Sequence, residues 1–166
     1  HEQKLKSSKL HLNATRIGAE LSFIYLTIPP SPMKIKCLID TGCSNTILHS
    51  SIAEKLNLSY KPFNIIISTA TGESEDAVQG ITHTNFTLYP ADNPPITQCT
   101  SIIISNQLNN LDMILGAEFL FNRKKVHSIS KNALTIIDNN KKLIVPMYEN
   151  TTSDLAVKAN YSLSHP

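Results

Sequence analysis

The sequence contains no tryptophan, only five glycines and three cysteines, and no apolar run approaching the roughly 18 residues a membrane-spanning helix requires. Each scarcity removes a class of protein. A formal charge of +2 over 166 residues, with five Phe and five Tyr, leaves no basic face interleaved with aromatics, so neither nucleic acid nor a membrane is an expected partner. Cys37, Cys43 and Cys99 are odd in number and lack the paired spacing of a zinc site or a disulfide framework, which points to a reducing interior. The six histidines, His1, His11, His49, His83, His127 and His165, are scattered singly. No metal and no cofactor is expected. No segment has the layout of a signal peptide and the first residue is His1, so excision from a longer polypeptide and an intracellular setting, not secretion, are the expectations. Asn-X-Ser/Thr triplets at Asn13, Asn57, Asn85, Asn150 and Asn160 are what a chain rich in these residues produces by chance.

What remains is the size and composition of one globular domain, 41% hydrophobic and 17% charged. Short runs rich in Ile and Thr, divided by turn residues, predict strands over 21–28, 33–39, 63–69, 77–86, 96–105, 111–115, 126–129, 133–137 and 142–145. Pro29, Pro30, Ser31 and Pro32 mark a turn between the first two. Two short helices are predicted. One, over 50–56, has Ser50 as its cap and Ile52 and Leu56 on one stripe; the other, over 117–124, has Phe119 and Leu120 inward and Arg123 and Lys124 at its negative end. The polar ends divide the chain into a loosely held extension over 1–18, a domain over 19–146 and a flexible tail over 147–166. The chain is all-β with no internal repeat.

One stretch carries chemistry. In Cys37-Leu38-Ile39-Asp40-Thr41-Gly42-Cys43-Ser44 an apolar strand delivers a carboxylate into a tight turn. Gly42 lets the main chain approach the carboxylate closely enough for its N–H to reach it, and the Thr41 hydroxyl can hydrogen-bond to a partner backbone. Asp and Gly also end strands without any catalytic purpose, so the tripeptide alone is weak. A second stretch strengthens it: Asp112-Met113-Ile114-Leu115-Gly116-Ala117-Glu118-Phe119-Leu120, an apolar strand that ends in glycine and enters a helix.

Together, in this order, these motifs resemble the retropepsin family of aspartic proteases, which includes retroviral, retrotransposon and plant pararetroviral enzymes. The resemblance spans roughly residues 21–145. It implies a closed, barrel-like acid-protease fold with one or two short helices and a β-hairpin flap. Asp40 is then the catalytic residue, supported by Thr41 and Gly42, with Ile114 in the cleft and Gly116 leaving space behind the catalytic loop. The flap falls on residues 65–74, with Gly72 at its tip, so that Ala70, Thr71, Gly72 and Glu73 meet substrate. Ser44 stands where relatives often carry a substrate-binding acid, and Glu118 where they often have Asp or Arg. These departures favour a plant pararetrovirus or a long-terminal-repeat retrotransposon as the source, hence a polyprotein substrate and a setting in the host cytoplasm or an assembling particle.

Peptide hydrolysis of this kind needs two aspartates sharing one proton, and the chain has one Asp-Thr-Gly and no duplication. A homodimer with one Asp40 per chain is therefore expected. Asp112 begins its strand outside any glycine turn and reads as structural. Cys43 reads as a small buried thiol, since no Cys-His arrangement accompanies it. The alternative reading is a catalytically silent module of the same fold that dimerises or binds peptide within a cellular protein. Against it stands the intact Asp-Thr-Gly: a pure binder has no reason to bury two repelling acids.

Overall fold

The computed structural model of the chain describes residues 10–11, 22–62, 67–69, 72–74, 78–108 and 110–149. Among them run β1 (Leu10–His11), β2 (Ser22–Thr27), β3 (Ile35–Ile39), β4 (Thr46–His49), helix α1 (Ser50–Lys55), β5 (Lys61–Pro62), β6 (Ile67–Thr69), β7 (Gly72–Ser74), β8 (Val78–Leu88), β9 (Ile96–Ser105), β10 (Met113–Leu115), helix α2 (Ala117–Leu120), β11 (Val126–Ile129), β12 (Ala133–Asp138), β13 (Lys141–Pro146) and β14 (Tyr148–Glu149).

Six strands close into a barrel. β2 is antiparallel to β3, β3 parallel to β10, β10 antiparallel to β4, β4 parallel to β9 and β9 antiparallel to β8. The ring closes where Leu26 and Thr27 of β2 pair with Leu88 and Thr87 of β8. The same edge of β2 also carries β14, with Tyr148 opposite Phe23, so the sheet runs on past residue 146, the boundary expected for the domain.

β3, β4, β10 and the second half of β9 are buried on both faces, which is why Cys37-Leu38-Ile39, Ile102-Ile103-Ile104 and Met113-Ile114-Leu115 read as continuous apolar runs, whereas β8 turns Gln79, His83 and Asn85 outward. One set of alternate residues (Cys37, Ile39, Leu48, Ile102, Ile104, Met113 and Leu115) fills the main core. The intervening set (Leu38, Ile47, Ile103 and Ile114) joins Phe23, Cys43, Val78 and Leu108 in a second, smaller cluster. Burying each such side chain contributes about 1.5–3 kcal/mol.

Several elements differ from the sequence expectation. β4 has no counterpart in it: its four residues follow directly on turn-forming residues, and with Thr46, Ile47 and Leu48 all buried it lacks the alternation that betrays a strand. The cap of α1 is His49 instead of Ser50; its Nδ1 accepts the Ser51 N–H at 3.0 Å. α2 stops at Leu120 because Asn122 folds the chain into a turn, its side-chain oxygen accepting the Lys124 N–H (3.0 Å) and its carbonyl the Val126 N–H (2.8 Å). Arg123 and Lys124 thus lie in a turn, not at a helix end. Of the strand expected over 63–69, Ile67–Thr69 is observed, and 63–66 fall outside the described residues.

Two smaller sheets complete the fold. β11, β12 and β13 form an antiparallel sheet, its last hairpin turning on Asn139 and Asn140 with φ of 49° and 64°, the left-handed pair that a two-residue loop requires. β6 and β7 form a hairpin in the expected flap segment, and β1 pairs parallel with β6.

Candidate active site

Asp40 follows the last residue of β3, and its position is set from both sides. Its backbone N–H donates to the Leu115 carbonyl (3.1 Å), continuing the parallel pairing of β3 with β10, and its own carbonyl accepts the Cys43 N–H (3.1 Å), closing the turn. The Gly42 N–H donates to the carboxylate Oδ1 at 2.9 Å. The residue is 3% exposed. A carboxylate held by a backbone N–H in a turn anchored on a buried sheet cannot swing away, which is the rigidity acid–base chemistry needs.

The loop beyond Asp40 is fastened to the start of α2. Ala117 N–H donates to the Cys43 carbonyl (2.7 Å), Glu118 N–H to the Ser44 carbonyl (3.0 Å), and the Asn45 amide to Glu118 Oε2 (2.9 Å). The buried Thr46 hydroxyl accepts the Gly116 N–H at 3.2 Å. A Cβ on Gly116 would overlap the Asn45 carbonyl and lie 2.8 Å from that of Cys43, so the space the sequence reading assigned to this glycine is filled by backbone. Ser44 itself is exposed beside the turn.

The rival groups are accounted for by geometry. The β3–β10 register sets Met113 against Cys37, hence Asp112 level with Lys36, four positions and about 13 Å along the strand from Asp40. Asp112 accepts the His49 N–H through its carbonyl at 2.8 Å, a link from β10 to the end of β4. The Cys43 thiol is buried and donates to the Asn45 carbonyl at 3.2 Å; burial, with the nearby Asp40 charge adding to it, pushes its pKa up to about 12. A thiol so protonated is no nucleophile. Among the described residues no group of three or more His, Cys, Asp or Glu is arranged to hold a metal ion, and no helix is long and apolar enough to cross a membrane.

Around Asp40 the structure gathers some of the expected contacts and separates others. Ile114, 7% exposed, lies in the second apolar cluster with Cys43 of the turn and with Val78 at the start of β8. Gly72 is not the tip of the hairpin: it stands in the ladder opposite Thr69, with Glu73 opposite Ser68. Ala70 and Thr71 lie outside the described residues. On the other side of the turn, Thr41 borders a depression of about 690 Å³ lined by Leu120, Phe121, Arg123, Val126, His127, Ser128 and Ile129. Phe121 is 65% exposed. Thr46 and Phe121 carry no signal in the sequence as contributors here; a Phe directly after a short helix looks like any other core residue until the turn at Asn122 leaves it outside.

Comparison with known proteins identifies a family. The profile of the family described as "gag-polyprotein putative aspartyl protease" matches residues 32–122, more than half of the chain, including both motifs. DNA damage-inducible protein 1 of Candida glabrata is 24% identical over 128 residues, which are 77% of this chain and 29% of that protein, so the chain spans under a third of that relative. Among solved structures, the retroviral protease-like domain of Ddi1 from Leishmania major aligns with a TM-score of 0.47 at 19% identity, covering 76% of this chain and 94% of that one. A retropepsin-like aspartic protease from Rickettsia conorii aligns with a TM-score of 0.42 at 17% identity, covering 78% and 83%. With its Asp-Thr-Gly turn, its Ile-Leu-Gly strand and a family profile that runs through both, the chain belongs to the gag-polyprotein aspartyl protease family, the retropepsin-like aspartic proteases.

Proposed function

We infer that this chain is one half of an aspartic endopeptidase, active as a homodimer in which Asp40 of each protomer contributes one carboxylate. The observation that carries this reading is the buried Asp40 carboxylate gripped by the Gly42 N–H, in a chain with a single Asp-Thr-Gly. As in aspartic proteases generally, two carboxylates about 3 Å apart cannot both ionise and share one proton. The ionised one takes a proton from water, which attacks the peptide carbonyl while the other protonates the carbonyl oxygen; as the C–N bond breaks, the proton taken from water passes to the leaving nitrogen and the second carboxylate recovers its own from the diol. Thr41 and Gly42 hold the turn and Ile114 walls the cleft. Ser44 and the hairpin, Ala70, Thr71, Gly72 and Glu73 included, take the main chain of an extended peptide, a form of recognition that reads backbone first.

The depression beside Thr41, with the exposed Phe121, is the face proposed for the second copy, because the second Asp40 has to arrive next to the first. The family's gag-polyprotein description supports a polyprotein as natural substrate, and Ser44 and Glu118 favour that of a pararetrovirus or retrotransposon, cut inside the cell that makes it. The similarity to DNA damage-inducible protein 1 favours a second reading, a dimerising or peptide-binding module of a cellular protein. The deciding experiment is cleavage of an extended peptide library between about pH 4 and 7 at rising protein concentration, against Asp40→Asn. Cleavage that rises faster than linearly, yields to a statine-type inhibitor and vanishes in the variant supports the protease; a stable dimer that cleaves nothing supports the module.

A further inference from the structure

Among the described residues the β6–β7 hairpin shares no ladder with the barrel, and its partner is the strand nearest the start of the chain. β1 lies parallel to β6, with Leu10 beside Ile67 and His11 beside Ser68, while β7 takes the other edge of β6 through Thr69↔Gly72, Ser68↔Glu73 and Ile67↔Ser74. A two-stranded ribbon is marginal by itself in water and a third strand adds a row of backbone hydrogen bonds. β6 has only two edges, and over Ile67–Ser68 both are in use.

We propose that the outer edge of β6 is a docking edge for an extended peptide and that the chain's own strand Leu10–His11 holds it in competition with substrate. This rests on reading the hairpin as the substrate-capturing flap. A peptide that adds to this edge makes the backbone bonds that β1 now makes, and the two cannot be made together. The occupant is short. Two ladder positions hold it, against the longer row an extended substrate can form, so β1 is a displaceable strap that lowers the fraction of molecules with a free edge and raises the apparent substrate dissociation constant in proportion.

The test uses the full chain with Leu10→Pro and His11→Pro, substitutions that remove the N–H groups of β1 without touching the hairpin. Amide hydrogen exchange over Ile67–Thr69 is followed in the native and variant chains, each alone and with a synthetic peptide of residues 6–15. Exchange is expected to be severalfold faster in the variant, and the added peptide to slow it there while changing the native chain little. In a cleavage assay on an extended peptide, KM falls about threefold in the variant at unchanged kcat if β1 occupies the edge in roughly two-thirds of molecules. Unchanged exchange between the two chains overturns the proposal, as does equal protection of both by the peptide, which would move docking to β7. A higher KM in the variant overturns it too, since β1 would then brace the flap. If neither chain cleaves anything, the protease reading fails while the exchange and peptide measurements still decide whether β1 holds the edge.

Discussion

Gly116 packs backbone against backbone with Asn45, closely enough that a single methyl group on Gly116 would overlap the Asn45 carbonyl. The loop that follows Asp40 and the entry to α2 therefore act as one unit, sharing the hydrogen bonds from Ala117 to Cys43 and from Glu118 to Ser44. Gly116→Ala is expected to destabilise the fold by about 1–3 kcal/mol, towards the upper value because the obstructing atoms are main chain and cannot rotate aside. Urea denaturation measures it; a midpoint unchanged from the native chain would mean that the loop gives way freely.

The three thiols should separate by reactivity. Cys99 is partly exposed, whereas Cys37 and Cys43 are buried. A thiol reagent at neutral pH is expected to modify Cys99 in the native protein and the other two only on unfolding. Mass mapping of the modified sites checks this.

The same burial makes stability depend on alkaline pH. Cys43 is pushed from 9.0 to about 12 by burial and the Asp40 charge, and burial pushes Cys37 up as well. Unfolded thiols lose their protons near pH 9 while the folded ones keep theirs, so above pH 9 the folded state binds more protons. Their contribution is full below pH 9 and declines as pH rises towards 12, by up to ~1.4 kcal/mol per pH unit per thiol. Guanidine midpoints at about pH 8 and pH 10.5 should fall less in Cys43→Ala than in the native chain.

Phe121 offers a test of the proposed dimer face. At 65% exposure it contributes little to the protomer's core, so Phe121→Ser should leave the thermal midpoint of the protomer nearly unchanged. As a buried aromatic in an interface its loss would cost about 2 kcal/mol or more, a dimer dissociation constant raised at least ~30-fold. Sedimentation equilibrium reads this directly. An unaltered constant would move the interface elsewhere.

His49 links β10 to α1. Its imidazole caps the helix while its backbone N–H ties β4 to the Asp112 carbonyl. His49→Ala should cost about 1 kcal/mol, and His49→Asn, which restores an acceptor, should recover most of it. Equal losses in both variants would assign the effect to packing instead of the cap.

The strand pattern was legible where runs of β-branched residues are bounded by turn residues: Ile96–Ser105 and Val126–Ile129 begin and end where those turn residues predict. It failed at Thr46–His49, where burial on both faces erases alternation, and at the end of α2, where the Asn122 turn outweighs the helix propensity of the residues after it. The tip of the hairpin was misassigned for a related reason: glycine is the usual turn residue, but cross-strand register, which a sequence does not display, puts Gly72 opposite Thr69.

Only local features can be read from the order of the residues alone. Asp40, Thr41 and Gly42 are contiguous, so the turn and the Gly42 N–H on the carboxylate follow from a handful of dihedral angles, and the Ile-Leu-Gly strand announces its role by composition. Tertiary structure decided everything that depends on which strands become neighbours. Parallel pairing brings Leu115 beside Ile39 across a long separation in the chain, sets Asp112 four positions away from Asp40 and lays Leu10–His11 along β6, while the turn at Asn122 leaves Phe121 exposed in the depression that Thr41 borders. The physical reason is that backbone hydrogen bonds carry no address: any strand can pair with any other, and only the simultaneous burial of both apolar faces of the barrel selects one arrangement.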